Sequence, residues 1–143
     1  MMHAVAGLIT TVLAVSTLTA CGGDSPYCTA VKDQKTTLNS LGENRTTAAY
    51  RSYARAFRSV AKVSPPAVKK DWTELAEVTA SVLNAQDKVG IKLEEMSDVD
   101  RVKKLSTGQL KSLNNAYEAF NKTTQQRRAV VKNVKQECEI TLT

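Results

Sequence analysis

The chain has 143 residues, a formal net charge of +6 and 42% apolar residues, which fits one small domain. No Lys, Arg, Asp or Glu precedes Asp24, so all of the side-chain charge lies in residues 24–143. The only histidine is His3, in a segment that we expect to be removed, which excludes His-based zinc sites, histidine-activated nucleophiles and imidazole acid–base chemistry from the mature chain.

The first 20 residues have the character of an export signal. Residues 4–20 form an uncharged apolar core that ends in small residues before Cys21, as in a secretory signal peptide. A membrane-spanning helix is the alternative, since the uncharged segment is long enough to cross a bilayer. Its threonines, serine and glycines make it a weak span, so we favour a signal peptide over residues 1–20.

The end of this segment, Leu18-Thr19-Ala20-Cys21, resembles the lipobox of bacterial lipoprotein precursors. The resemblance implies cleavage before Cys21 and attachment of a diacylglyceryl group to its thiol. The mature protein would then be anchored to the outer face of the cell membrane. Residues 21–26 would be a lipidated tether, and residues 27–143 would be the folded domain.

Beyond the tether, apolar residues recur at intervals of three and four, which predicts helices. Helix A is predicted over about 26–41 and helix B over about 45–63. Ser64-Pro65-Pro66 ends helix B and begins helix C, with Ser64 as the cap. Helix C is predicted to continue to about Met96, with Gly90 as the place for a kink.

A short helix follows, opened by Ser97-Asp98-Val99-Asp100 and extending to about Leu105. Thr107 is predicted to cap helix D, which continues to about Cys138. These elements predict an all-α fold. The predicted architecture is an up-down four-helix bundle with a short extra helix between the third and fourth long helices.

Cys28 and Cys138 lie near opposite ends of the mature chain, and export would place them in an oxidising compartment. We therefore predict a disulfide between them. Two free thiols or a metal pair are the alternatives, but no histidine or further cysteine could complete a metal site. In an up-down bundle, the start of the first helix and the end of the fourth lie at the same end, which agrees with the pairing. Tyr27-Cys28 after the tether, together with Cys138, also loosely resembles small uncharacterised lipoproteins of actinobacteria.

Charge is segregated along the chain: residues 44–70 carry +7, residues 71–100 carry −6 and residues 101–135 carry +8. One interpretation is attraction between neighbouring helices, because acidic helix C would lie between basic helices B and D. The other is a basic face on the side of helix A. Its predicted residues are Arg51, Arg55, Arg58 and Lys62 on helix B, with Arg127, Arg128, Lys132 and Lys135 on helix D.

A basic face suggests an anionic partner, such as lipid headgroups, a wall polymer or an acidic envelope protein. Nucleic acid is not expected, because no recognition motif accompanies the charge. We find no spacing typical of catalysis and expect no cofactor. The acidic group around Asp98 lacks the glycine and distal glutamate of an EF-hand loop, so we expect no metal site and interpret it as helix capping.

The sequence therefore predicts a non-enzymatic, lipid-anchored interaction module of the cell envelope. The alternative is a small-ligand or lipid-binding protein that uses the interior of the bundle. Aromatic residues at helical spacing would line such a pocket, although residues with this spacing more often form core; they are Trp72, Tyr50, Tyr53, Phe57, Tyr117 and Phe120.

Overall fold

The computed structural model describes residues 25–143, and every regular element in that range is helical, which confirms the all-α class. The signal peptide, Cys21 and most of the predicted tether lie outside the described residues. The elements in chain order are α1 (Pro26–Asn39), α2 (Thr47–Val63), α3 (Pro66–Val89), a 3₁₀ turn (Leu93–Glu95), α4 (Val99–Lys103), α5 (Thr107–Asn121) and α6 (Thr124–Cys138).

The start of α1 is fixed by a serine and a proline. The Ser25 hydroxyl accepts a hydrogen bond from the Cys28 backbone N–H at 3.2 Å, and Pro26 occupies the first helical position. A proline there costs no hydrogen bond, because the first N–H groups of a helix have no acceptor within it. The boundary that the sequence predicted at this point is therefore the observed one.

The break between α2 and α3 is where the sequence placed it, but the capping residue differs. Ser64 does not cap α3: its hydroxyl donates to the Ala61 carbonyl at 3.0 Å and so satisfies the last turn of α2. The N-cap of α3 is Pro65, without a side-chain cap. Because Pro66 removes the N–H at the first helical position, α3 has one fewer donor to satisfy at its start.

Helix α3 is shorter than predicted, because Gly90 ends it rather than bending it. Gly90 has φ 69° and ψ 27°, a left-handed conformation that a residue without a Cβ adopts at little cost, and its N–H donates to the Gln86 carbonyl at 2.9 Å. The chain then turns back towards α2. There the Glu94 carboxylate accepts hydrogen bonds from the Thr47 N–H at 2.9 Å and hydroxyl at 3.0 Å, which lower the pKa of Glu94.

The predicted helix D is two helices, α5 and α6, separated at Lys122 and Thr123. The Thr123 hydroxyl, which is buried, donates to the Phe120 carbonyl at 2.7 Å. Arg127 also bonds both residues, with Nε donating to Thr123 Oγ1 at 3.1 Å and Nη2 donating to the Phe120 carbonyl at 3.0 Å. The Thr123 and Arg127 side chains thus donate to the Phe120 carbonyl, which the N–H of residue 124 would satisfy in a continuous helix.

The N-cap of α5 is Ser106, not Thr107. The Ser106 hydroxyl accepts from the Gln109 N–H at 3.3 Å, and the Gln109 side chain accepts from the Ser106 N–H at 2.8 Å. This reciprocal pair satisfies two backbone donors at once. Asp98 caps α4 as predicted, because its carboxylate accepts from the N–H groups of Asp100 and Arg101.

The long helices surround one core. Helix α2 packs against α1 and most extensively against α3, while α3 also packs against α5 and α6. The contact between α1 and α6 is the smallest of the substantial helix pairs. The core side chains with no exposed surface are Val31, Ala56, Val60, Thr79, Val82 and Val134.

Candidate functional site

The start of α1 and the end of α6 are joined covalently. Cys28 and Cys138 form a disulfide, and their Cα atoms are 5.3 Å apart, within the usual range for this bond. The bond crosses the contact between α1 and α6, the smallest of the substantial helix contacts. We call this part of the molecule, where the starts of α1 and α3 meet the end of α6, the disulfide end.

Beside the disulfide, three side chains form a short hydrogen-bonded chain. Trp72 Nε1 donates to the Tyr27 hydroxyl at 3.1 Å, and this hydroxyl donates to Asn133 Oδ1 at 3.0 Å. Burial raises the pKa of Tyr27, and the Trp72 hydrogen bond opposes that rise. These two hydrogen bonds link α1, α3 and α6, so they fix the positions of the three helix segments of the disulfide end relative to one another. Sequence patterns did not single out Asn133.

Three of the four predicted basic residues of α2, Arg51, Arg58 and Lys62, lie along its boundary with α3. The fourth, Arg55, donates to Ser52 Oγ of the same helix at 3.1 Å. Arg51 Nη2 is 3.6 Å from Asp87 Oδ1, and both side chains are more than half exposed. Arg58 and Lys62 line a groove between α2 and α3 that also contains Glu77. Opposite charge therefore follows this boundary, although a single exposed pair contributes little stability.

The predicted basic residues of α6 differ in their environments. The Arg127 guanidinium lies 5.0 Å from the centre of the Phe120 ring and bonds the turn between α5 and α6, so it is engaged within the fold. Arg128, Lys132 and Lys135 are exposed. Arg128 and Lys132 line a second groove, distinct from the one that Arg58 and Lys62 line. The two predicted basic rows therefore border different grooves.

This second groove, which we call the α1–α6 groove, has a volume of about 410 Å³. Its apolar lining is contributed by α1 and the turn after it, by α2, α3 and α6, and by the C-terminal tail, and consists of Leu38, Leu41, Phe57, Trp72, Leu75, Val130, Val131 and Leu142. Among the described residues, its charged lining side chains are Arg127, Arg128 and Lys132, with no acidic side chain beside them. The arrangement combines an apolar floor with a positively charged edge.

The C-terminal tail forms one wall of the α1–α6 groove. After Cys138 the chain leaves the helix at Glu139, which has a left-handed φ of 57°, and follows α1 until the Thr143 N–H donates to Asn39 Oδ1 at 3.1 Å. Leu142 is buried, and Ile140 is partly buried. Ile140 and Leu142 are two positions apart, the spacing expected of an extended segment that buries one side. This spacing is visible in the sequence, but a search for helical periodicity does not detect it.

A buried side-chain amide, that of Gln86, lies in the core near the end of α3, away from the disulfide end. Gln86 is 1% exposed and its Nε2 donates to the Tyr117 hydroxyl at 3.0 Å, while its Oε1 has no hydrogen-bond partner in the described part of the chain. Burial raises the pKa of Tyr117. The other predicted aromatic residues are buried in the core, where Phe57 packs on Trp72 and Tyr50 packs on Tyr53 and Phe120.

Within residues 25–143, no group of three or more His, Cys, Asp or Glu side chains is placed to hold a metal ion. None of the helices in this range combines the length and the apolar character needed to cross a membrane. Comparison with known protein families, with curated proteins and with solved structures finds no match to this chain. The residues and their geometry are therefore the basis for assigning a function.

Proposed function

We propose that the protein is a lipid-anchored, non-enzymatic interaction module of the cell envelope, exported by its signal peptide and held at the outer face of the membrane by an acylated Cys21. The lipobox and the charge-free core before it support the export and the anchor. Four residues separate Cys21 from Pro26, so the distance between the two is five residue steps, at most about 18 Å. In this proposal the disulfide end faces the bilayer.

We interpret the architecture as an up-down four-helix bundle in which α5 and α6 together supply the fourth helix and α4 is the short extra helix. The neighbour relations support this, because α2 packs on α1 and α3, and α6 packs on α3 and α1. The disulfide supports it as well, since an up-down order returns the end of the fourth helix to the start of the first.

The observation that carries the membrane proposal is the composition of the turn between α2 and α3. Val63 is 42% exposed there, with the exposed side chains of Lys62, Lys69 and Lys70 close to it in the chain. We call these four residues the basic corner. The acidic residues of α3 begin directly after it, with Asp71, and continue with Glu74 and Glu77, so residues 62–70 themselves contain no acidic residue.

The basic corner belongs to the disulfide end, because the start of α3 is bound to the start of α1 through Trp72 and Tyr27. An exposed apolar side chain among lysines suits a surface of anionic headgroups, where the lysines meet phosphate and the apolar side chain enters the interface. The two acyl chains of a diacylglyceryl group already make a stable anchor. The basic corner would add a contact between the folded domain and the headgroups, and so would orient the domain on the membrane.

The anchor is tested by metabolic labelling with palmitate in the native host. We expect the wild-type protein to incorporate label and to fractionate with membranes, and we expect Cys21→Ala to incorporate none. The matched control is Cys28→Ala with Cys138→Ala, which removes the disulfide thiols and leaves Cys21 available. Equal labelling of wild type and Cys21→Ala would reject the lipobox.

The basic corner is tested without the acyl chain, using residues 21–143 with Cys21→Ser and vesicles of phosphatidylglycerol or phosphatidylcholine. We expect sedimentation with the anionic vesicles only, weakening as salt is added. Lys69→Glu with Lys70→Glu should weaken it by about tenfold or more, because each lysine near an anionic surface contributes about 1 kcal/mol. Lys103→Glu with Lys104→Glu makes the same charge change on α4 and at its end, and should have a smaller effect.

Binding that is equal for the two vesicle types, or equally weakened by the two double variants, would contradict a membrane role for the basic corner. Binding to purified wall polymer, with none to either vesicle type, would also contradict a membrane role. It would identify the wall polymer as the partner of the basic corner.

Binding of a small ligand is a second candidate function, and the α1–α6 groove favours it. Ligand pockets in proteins are mostly apolar, with a few charged or polar groups that fix orientation, and commonly have volumes of about 300–1,000 Å³. The groove has this character at about 410 Å³. It lies at the edge of the bundle, between α1, α6 and the tail, whereas the sequence suggested the interior.

A further inference from the structure

The apolar and the positively charged residues of the α1–α6 groove lie in different parts of it. Its floor includes Phe57, Trp72 and Leu75, each no more than 2% exposed, and its outer part includes Val131, which is 38% exposed. The positive charge lies with Val131 on α6. A ligand that satisfies both parts needs an apolar body and an anionic head.

Arg128 and Lys132 are the residues available for such a head. They are four positions apart on α6, so they project from the same side of the helix. Both are exposed, and neither is in an ion pair in the described residues. Arg127 is different, because its guanidinium is bound to Thr123, the Phe120 carbonyl and the Phe120 ring.

The wall formed by the tail is the part of the groove best able to adjust. Residues 139–143 have no helical hydrogen bonds, whereas the other walls are helices or, at Leu41, the turn after α1. The tail is held by the burial of Leu142 and by the bond from Thr143 to Asn39. An exposed backbone with few buried contacts opens at low free energy, so this wall can move without unfolding the bundle.

From these observations we propose that the α1–α6 groove binds an anionic single-chain amphiphile of the fatty-acid class, with its carboxylate at Arg128 and Lys132 and its acyl chain over Val131 towards Trp72. This inference rests on the ligand-binding function proposed above and is independent of the lipid anchor. The charged side chains that line the groove within residues 25–143 are all basic, which supports an anionic head over a cationic one. The apolar lining supports an acyl chain over a compact polar anion.

Trp72 provides a direct readout, because it is the only tryptophan in the chain and it lines the groove. The test uses residues 21–143 with Cys21→Ser and the disulfide formed, titrated with dodecanoate brominated on its chain, below the concentration at which it aggregates. Bromine quenches indole emission only at close range. We expect saturable quenching with one site. A brominated dodecyltrimethylammonium ion, which has the same chain and the opposite charge, should bind about tenfold or more weakly.

Two variants localise the ligand. Arg128→Glu with Lys132→Glu should weaken binding of the brominated fatty acid by about tenfold or more, a change of about 1.4 kcal/mol or more in binding free energy. Val131→Glu should weaken it as well, by placing a carboxylate beside the acyl chain. These side chains are exposed, so the far-UV circular dichroism and melting of the variants should match the wild type. Lys103→Glu with Lys104→Glu is the charge-matched control and should retain binding.

Absence of saturable quenching by the brominated fatty acid would overturn the proposal, and so would equal affinity for the cationic probe. If Arg128→Glu with Lys132→Glu and the control Lys103→Glu with Lys104→Glu weakened fatty-acid binding equally, the proposal would also be overturned. The effect would then come from the net charge of the protein and not from the groove. Lys69→Glu with Lys70→Glu separates this site from the basic corner. It should reduce vesicle binding and leave quenching unchanged, so either proposal can fail while the other holds.

Discussion

Replacing both cysteines, with Cys28→Ala and Cys138→Ala, is expected to reduce the free energy of unfolding by about 4–5 kcal/mol. The two residues are 110 positions apart, and the chain-entropy treatment gives a cross-link over about 100 residues roughly this effect on the unfolded state. Small domains have total stabilities of about 5–15 kcal/mol, so the variant would lose a large fraction of its stability.

The structure gives a second reason to expect a large effect. The disulfide crosses the contact between α1 and α6, which has less packing than the other substantial helix contacts. Without the bond, that contact depends on Tyr27, its bond to Asn133 and the C-terminal tail. We therefore expect local opening there, seen as faster amide exchange in α1 and in the tail than in α3.

The loss in the free energy of unfolding is measured by urea denaturation, with circular dichroism as the signal. The matched control is the wild-type protein kept reduced, which has both cysteines and no cross-link and should be destabilised to a similar extent. A double variant that unfolds within about 1 kcal/mol of the oxidised wild type would show that packing alone holds the contact between α1 and α6.

Trp72→Ala is expected to cost about 3–5 kcal/mol, the range found when a buried aromatic side chain is truncated to alanine. Trp72 is 1% exposed and its ring centre lies 6.0 Å from that of Phe57. Its removal would leave a cavity between α2 and α3. It would also remove the donor to the Tyr27 hydroxyl, whose other bond is to Asn133.

Two smaller changes separate packing from hydrogen bonding. Trp72→Phe retains part of the buried ring surface and loses the indole donor, so it should cost less than Trp72→Ala. Tyr27→Phe keeps both rings and leaves the Trp72 N–H and the Asn133 amide oxygen without this partner, at a cost of about 1–3 kcal/mol. Urea denaturation of all three variants is measured by circular dichroism at 222 nm, because the two Trp72 variants have no tryptophan fluorescence. Equal destabilisation by Trp72→Phe and Trp72→Ala would mean that the hydrogen bond, not the volume, determines the effect.

The parts of the fold that could be predicted are those set by local chemistry. Pro26 and the pair Pro65-Pro66 have a fixed φ and no N–H, so they fit the first turn of a helix and not its interior. Helical spacing of apolar residues identified the class and most of the core. Cys28 and Cys138 could be paired because no other cysteine follows Cys21.

The parts that could not be predicted depend on particular side-chain contacts that the apolar periodicity does not record. The interval from Thr107 to Cys138 has the apolar pattern of one helix, yet it is broken at Thr123, where Arg127 binds the Phe120 carbonyl and stacks on its ring. Helix α3 stops at Gly90 because the following turn is bound to Thr47 of α2 through Glu94. Thr47 lies 47 residues before Glu94 and is outside any local window of sequence, whereas the contact of Arg127 with Phe120 is local but leaves no sign in the apolar periodicity.

The candidate sites divide in the same way. Sequence by itself determined the helical class, the segregation of charge and the identity of the basic residues, because each depends on residue type and spacing. Only the tertiary structure decided that Arg58 and Lys62 border α3 while Arg128 and Lys132 border an apolar groove closed by Leu142. The physical reason is that a helix fixes which residues share one side, whereas the neighbour of that side is set by packing and by the path of the chain between helices.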